Sequence, residues 1–306
     1  LITTFQGSMQ SQLENVADAS IGLLLTDPPY NISEKGAKPV WKDADGNDKN
    51  TVHSQKFSET FEEDWDDVSH EEFLEQLEEW SKLWFQKMRK GAAFAVFISD
   101  KYISYLWNIM EQQGFEPKRI FTWKKPAAVP FNRRVNPVSG CEYILWGIKP
   151  GGKRTFNSGT DFGNIVDRYA VADKVSSIVY RAVKDNLDTK SLSSIFKEAE
   201  KEAQQMLDAR KVKDGKIQAV IPNTITFSGG GGKKIHPTQK PVEILQYFIE
   251  LLTAPGDTVL DTFAGSGSTG KAALSSGRDC VLIEQDPKMF AKMSKQFSSI
   301  DTGDFN

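Results

Sequence analysis

The stretch Thr258-Val259-Leu260-Asp261-Thr262-Phe263-Ala264-Gly265-Ser266-Gly267-Ser268-Thr269-Gly270 decides the fold. A short apolar run enters it, glycines follow, and small residues suited to the first turn of a helix leave it. Gly265, Gly267 and Gly270 match G-x-G-x-x-G, and Glu284 falls 284 − 265 = 19 residues beyond the first of them. A strand opening through such a loop into a helix, with a carboxylate closing the next strand, is suited to the ribose of a nucleoside cofactor. The plainer alternative is a tight strand–helix turn with no ligand. The loop alone leaves a dinucleotide and S-adenosylmethionine both open, since each carries an adenosine ribose. Asp261, directly before the loop, is unhelpful beside a pyrophosphate and helpful near an ammonium or a sulfonium.

Apolar runs and helical patterns alternate on both sides of this loop. Ile21-Gly22-Leu23-Leu24-Leu25-Thr26 reads as a buried parallel strand. It stops at Asp27-Pro28-Pro29-Tyr30, because prolines cannot donate to a ladder. Residues 69–89 read as a helix. Ser69 and Glu72 form a capping-box pattern, and Phe73, Leu77, Trp80 and Trp84 recur at helical spacing as core residues. Strands are expected over 92–98, 119–124, 141–148, 258–261 and 280–284, and helices over 102–113, 268–275 and 287–297. Pro241 suits the first turn of a helix ending near Leu252. This alternation predicts an α/β fold with a mostly parallel sheet covered by helices on both faces. Residues 31–67 are polar, acidic and rich in turn formers, hence a long loop. Residues 149–228 are charge-mixed, helical in pattern over 192–210, and read as an inserted, mainly helical region. Gly229 to Gly232 form a hinge after it.

Asp27-Pro28-Pro29-Tyr30 combines groups that suit one chemical problem. The exocyclic amine of a base is a poor nucleophile, because its lone pair is delocalised into the ring. Acceptors for its two hydrogens favour the localised, pyramidal form. Asp27 supplies a carboxylate, and Pro28 a carbonyl that the rigid Pro28-Pro29 unit directs away from the sheet. Tyr30 offers a ring on which an extruded base stacks, worth roughly 1–3 kcal/mol. That offsets part of the cost of drawing the base out of a duplex. A simple turn is the bland alternative. The glycine loop at a neighbouring strand end favours the functional reading, since the crevice at a sheet's switch point would hold cofactor and acceptor together.

With these motifs the chain resembles the β class of S-adenosylmethionine-dependent amino-group DNA methyltransferases, N6-adenine type. Asp27-Pro28-Pro29-Tyr30 matches the catalytic tetrapeptide and Phe263-Ala264-Gly265-Ser266-Gly267 the F-x-G-x-G cofactor motif. His236-Pro237-Thr238-Gln239-Lys240-Pro241 matches the segment that helps hold the methionine end. The catalytic motif comes first and the cofactor motif last, the permuted order of that class. The resemblance implies a Rossmann-like methyltransferase fold. In it 1–148 is the catalytic half, 149–228 a target-recognition region and 229–306 the cofactor half. S-adenosylmethionine is then held by Asp27, Asp261, Phe263, Ala264, Gly265, Ser266, Gly267 and Glu284, with His236, Thr238 and Lys240 at the methionine end. A methyl group passes by direct in-line displacement to a flipped base, with no covalent enzyme intermediate. Asp27 leans toward adenine N6, where relatives with Ser lean toward cytosine N4. Lys240 is expected to be structural or to contact the cofactor carboxylate. Trp123-Lys124-Lys125-Pro126 and Glu142-Tyr143-Ile144-Leu145-Trp146 also resemble stretches of this class. Gly7-Ser8 departs from it, since the family commonly has Gly-Asp there, and the cofactor contact of that Asp is not carried over.

The 306 residues hold 38 basic and 41 acidic side chains, net −3, which taken whole argues against a polyanionic partner. The charge is segregated. Residues 34–79 carry 5 basic and 15 acidic side chains, net −10, and residues 118–234 carry 22 and 11, net +11. The basic half is the face that double-stranded DNA would meet, with Lys124, Arg133 and Arg134 nearest the expected active end. Arg168, Arg181, Arg210 and Lys213 count only as a set. A homodimer and a restriction endonuclease of the same system are the protein partners that the resemblance allows, in the cytoplasm of a bacterial or phage-infected cell. Cys141 and Cys280 are too few for a disulfide framework or a zinc site, and buried thiols are expected. No stretch nears the ~18 apolar residues of a membrane span. Leu1-Ile2-Thr3-Thr4-Phe5 lacks the pattern of a signal peptide, and without an initiator Met a few natural residues are expected to precede it. The rivals are transfer to cytosine N4, RNA or a free base, a nicotinamide-dependent dehydrogenase on the same glycine loop, and a catalytically silent DNA-binding subunit. The dehydrogenase leaves Asp27-Pro28-Pro29-Tyr30 unexplained, and the intact tetrapeptide argues against the silent subunit.

Overall fold

The computed structural model describes residues 1–31, 68–125, 140–157, 197, 223–226 and 240–298. The long loop expected at 31–67 lies outside these beyond Asn31, as do the glycine hinge and the helix expected at 192–210 apart from Lys197. In chain order the elements are β1 Ile2–Gln6, α1 Met9–Gln12, β2 Ile21–Thr26, α2 His70–Lys87, β3 Met88–Ile98, α3 Ile103–Gln112, β4 Glu116–Lys124, β5 Cys141–Ile148, β6 Thr224–Thr226, α4 Val242–Leu252, β7 Thr258–Asp261, α5 Ser268–Ser275, β8 Asp279–Glu284 and α6 Pro287–Phe297.

Among the described residues the strands form one sheet of 8, ordered β1-β8-β7-β2-β3-β5-β4-β6. Every pairing is parallel except those of β5, which runs antiparallel to β3 and to β4. β2 and β7 are neighbours, with Leu23 opposite Val259 and Leu24 opposite Leu260. From that pair β3 lies to one side and β8 to the other, so the topological switch point lies between them. The sheet is the mostly parallel one that the sequence predicts.

Strand alternation divides the interior into two cores. Leu24, Phe94, Val96 and Ile98 pack with Phe73, Leu77, Trp80 and Trp84 of α2 and Leu106 of α3. Leu23, Leu25, Ala95 and Phe97 pack with Ile244 and Phe248 of α4, Ala272 of α5 and Met293 of α6. Helices therefore cover both faces. The start of α2 follows its sequence. Ser69 Oγ accepts from Glu72 N at 3.1 Å and Glu72 Oε2 accepts from Ser69 N at 2.9 Å, a complete capping box.

Four details differ from expectation. β1 lies in five residues that are mostly half-buried and show no clean alternation, and it adds an edge beside β8. β6 is a three-residue strand that closes the other edge beside β4, inside the stretch read as an inserted, mainly helical region. β3 begins at Met88, directly after α2, rather than at residue 92. Lys149 Nζ donates to the carbonyls of Phe85 and Met88 at 2.6 and 2.8 Å, which lets the helix end without a loop. Pro241 caps α4 from outside rather than opening its first turn. Cys280 is buried and Cys141 half-buried. Among the described residues no helix is long and apolar enough to cross a membrane.

Candidate active site

The loops that leave β2 and β7 emerge side by side at the carboxyl end of the sheet, and a buried polar cluster ties their roots together. Thr26, the last residue of β2, donates from Oγ1 to Asp261 Oδ1 at 2.8 Å and accepts from Thr262 N at 3.2 Å. Trp84 of α2 donates from Nε1 to Thr262 Oγ1 at 3.2 Å. Asp261 Oδ2 accepts from Thr269 Oγ1 at 2.6 Å, and Oδ1 also accepts from Phe263 N at 3.1 Å. Both oxygens of Asp261 are thus committed inside the fold, under the glycine loop. Burial pushes its carboxyl up to about 6, against the pull of these hydrogen bonds.

The glycine loop is held at several points. Gly267 has φ +80, and a Cβ there would lie 2.8 Å from Met293 Cγ and Phe297 Cε2 of α6. Only glycine meets both conditions. Gly265, at φ +50, faces open space instead. Its N–H donates to Glu284 Oε2 at 2.7 Å, and Glu284 Oε1 accepts from Asp286 N at 2.8 Å. Burial raises the Glu284 carboxyl above its ordinary value. Gln296 Nε2 donates to the carbonyl of Ser266 at 2.9 Å. Ala264 and Ser266 are buried, while Phe263 is half-buried with Trp80 at 4.9 Å between ring centroids.

The Asp27 loop holds the densest charge. Tyr30 Oη donates to Asp27 Oδ1 at 2.7 Å. Lys240 Nζ, just before α4, lies 2.6 Å from Asp27 Oδ2 and 3.2 Å from Glu142 Oε2 on β5. Lys125, just past β4, lies 2.8 Å from Glu142 Oε1. The Lys240 ammonium also stands over the rings of Tyr30 and Phe97, 5.3 and 5.2 Å from their centroids. Burial drives the Asp27 carboxyl above its ordinary value, with Lys240 opposing and Glu142 adding. Burial would also strip the Lys240 proton, but Asp27 and Glu142 outweigh it and hold its pKa above the ordinary value. For Glu142, burial favours the neutral acid, but Lys240 and Lys125 outweigh it and hold the pKa below the usual range. Pro28 is buried and Pro29 half-buried. Asn31 closes the loop at φ +46. Its Oδ1 accepts from Val68 N and its Nδ2 donates to Tyr102 Oη, both at 3.2 Å.

The structure therefore brings Asp27, Pro28, Pro29, Tyr30, Lys240, Asp261, Phe263, Ala264, Gly265, Ser266, Gly267 and Glu284 to one end of the sheet. Lys124 is exposed at the end of β4. His236, Thr238, Arg133 and Arg134 lie outside the described residues. Sequence reasoning did not place Thr26, Asn31, Lys125 or Glu142 in the site. Glu142 alone left a usable signal, a carboxylate at the start of an otherwise apolar strand.

A half-buried carboxylate beside a rigid Pro-Pro unit, next to a glycine loop with an acidic residue at the following strand end, can accept hydrogen bonds from an amine and bind a nucleoside. The family described as DNA methylase, N6_N4_Mtase, matches residues 21–295. The type II methyltransferase M.HpaI of Haemophilus parainfluenzae is 26% identical over 298 residues, covering 94% of this chain and 74% of that protein. The crystal structure of the M1.HpyAVI–SAM complex superposes with a TM-score of 0.57 at 20% identity, over 97% of this chain and 99% of that one. PvuII DNA methyltransferase, described as cytosine-N4-specific, superposes with a TM-score of 0.59 at 18% identity, over 97% and 86%. At these identities the solved structures speak for the fold.

Proposed function

Because the chain belongs to the N6_N4_Mtase family of DNA methylases, we propose that it methylates the N6 amino group of adenine in DNA at a specific site, using S-adenosylmethionine. One observation carries the reading: the Asp27 loop and the glycine loop leave adjacent strands and share the Thr26–Asp261 anchor. Family membership leaves no room for the dehydrogenase, and the similarity to an S-adenosylmethionine-bound structure supports the choice of cofactor.

The residues present fit that cofactor. Gly265 faces open space, and Glu284 reaches the same loop with a carboxylate that ribose hydroxyls can bond. Phe263 offers a half-buried ring. Asp261, with both oxygens engaged, shapes the loop from below. His236 and Thr238 complete the cradle in this reading. When bound, S-adenosylmethionine supplies an electrophilic methyl on a sulfonium.

The chain itself supplies orientation and acceptors. Asp27 and the Pro28 carbonyl accept hydrogen bonds from the exocyclic amine, which localises its lone pair. A Tyr30 ring held by its own hydroxyl to Asp27 gives the extruded base a fixed surface. Neither group needs to keep the amine's proton, which water can take. The carboxylate at position 27 favours adenine N6 over cytosine N4. The stretch 149–228 is the recognition region on this reading, tied to the scaffold near its start by Asn157, which donates to the carbonyls of Glu250 and Thr253. Double-stranded DNA lies across the basic half on this reading, with Lys124, Arg133 and Arg134 as the residues that would contact it. A homodimer and a cognate endonuclease are the partners to look for.

The test is methyl transfer to DNA duplexes that lack either adenine or cytosine at all positions, with Asp27→Ala beside the wild type. Transfer is expected only where adenine is present. Asp27→Ala is expected to lose it while calorimetry shows cofactor binding retained. Transfer to adenine-free DNA would reassign the base to cytosine N4, and near-normal turnover by Asp27→Ala would remove this residue from the mechanism.

A further inference from the structure

Lys240 stands between two carboxylates, and only one of them belongs to the catalytic loop. Its ammonium has three N–H groups and no acceptor. Asp27 Oδ2 lies 2.6 Å from its Nζ and Glu142 Oε2 lies 3.2 Å away, an ion-pair contact in which that buried oxygen takes no hydrogen bond from the described residues, while the rings of Tyr30 and Phe97 face the same ammonium. Lys240 is only 10% exposed, so water contributes little to this balance. Lys125 holds the far oxygen of Glu142 at 2.8 Å. The four side chains alternate in sign and sum to zero, which makes their shared burial tolerable.

We propose that Glu142 is a positioning residue for methyl transfer: by sharing Lys240 it keeps the Asp27 carboxylate in place yet strong enough as an acceptor for the incoming amine. The inference rests on the methyltransferase reading above. Without Glu142, Lys240 would have Asp27 as its sole anion among the described residues. A buried ammonium paired with one carboxylate draws charge from it and takes up the acceptor capacity that the substrate needs. With Glu142 present, the ammonium's attraction is divided, while the Tyr30 hydroxyl fixes the other oxygen of Asp27. Glu142 itself touches no reacting atom. Among the described residues, the charged and titratable groups facing Asp27 are Tyr30 from its own loop, Lys240 before α4, Glu142 on β5 and Asp261 at the end of β7, with Lys125 behind Glu142.

The balance is readable without cofactor, from the pH titration of the Asp27 carboxyl carbon by NMR, assigned with Asp27→Asn. In Glu142→Gln the midpoint is expected to fall by about one pH unit, the scale on which a neighbouring charge acts. In Lys125→Met, which removes a positive charge and leaves Glu142 in place, the midpoint is expected to rise. Single-turnover transfer by Glu142→Gln should slow on the order of tenfold, as acceptor strength falls. Cofactor affinity should hold, and Glu142→Asp should recover part of the rate. An Asp27 midpoint that stays put in both variants, or wild-type transfer by Glu142→Gln, would overturn the proposal. If Glu142→Gln fails to fold, the sign of the Lys125→Met shift decides alone. If instead Asp27→Ala keeps its turnover, the assignment of Asp27 falls, and that outcome is distinct from a dead Asp27→Ala beside a normal Glu142→Gln.

Discussion

Asp261 is the residue whose placement most changes its meaning. Its position before the glycine loop suggests a contact to a positive ligand group, whereas Thr26, Thr269 and the Phe263 N–H take both its oxygens. Burial pushes this carboxyl up to about 6, against 3.8 for the ordinary value. The folded chain therefore holds this proton more tightly than the unfolded one, so stability contributed here falls as pH rises from about 4 to about 6. Asp261→Asn keeps an acceptor for Thr26 and lets the Thr269 hydroxyl accept instead. Urea midpoints taken between pH 4.5 and 7 should fall across this window in the wild type, and the variant should lose that part of the slope. Equal slopes would place the proton elsewhere. Thr26→Val is expected to cost roughly 1–3 kcal/mol by leaving the Thr262 N–H without its acceptor, with Thr26→Ser close to wild type. At this scale the sequence reveals residues whose chemistry is local, Asp27 and Tyr30 in one tetrapeptide. It conceals those whose partners come from other elements. Nothing near Lys240 announces that Glu142 on another strand will share its charge, because the pairing exists only once β5 lies beside β3.

At the scale of elements, legibility follows the strength of the local pattern. α2 is readable to its cap, because the Ser69–Glu72 exchange and the inward face of Phe73, Leu77, Trp80 and Trp84 agree. β2, β7 and β8 are readable as buried apolar runs. β1 and β6 are not, because edge strands are short and half-exposed and leave little periodicity. The abrupt passage from α2 into β3 is also invisible in sequence, since it depends on Lys149 arriving from the end of β5. Lys149→Met is expected to leave the Phe85 and Met88 carbonyls without this donor and to remove the ammonium that stands 4.2 Å from the centroid of the Phe85 ring. A loss of about 1–2 kcal/mol in urea unfolding is expected, with faster amide exchange at the α2–β3 junction. Unchanged exchange there would show that the junction holds without this cap.

Over the whole molecule, a net charge of −3 conceals a segregation of charge along the chain. The acidic stretch continues into α2, where Glu71, Glu75 and Glu78 are exposed one turn apart on its outer side. The basic stretch includes β4 and runs past β5, with Arg119, Lys124, Lys153 and Arg154 exposed. The active loops open at the carboxyl end of the sheet, where Lys124 also stands, so a polyanion approaching that end meets positive charge from the β4 side. Like charge on α2 disfavours the opposite approach. Binding to duplex DNA, measured by fluorescence anisotropy, should weaken steeply with salt despite the acidic mean. The expected log–log slope is about −0.9 per phosphate contacted, and neutralising Lys124 should reduce it by about one contact at most. The same substitution should weaken binding to all sequences alike, because a phosphate contact positions the protein without reading bases. A flat salt dependence would mean that the +11 of residues 118–234 is turned away from DNA. The active end would then have to engage its base through the Asp27 loop alone, without electrostatic guidance.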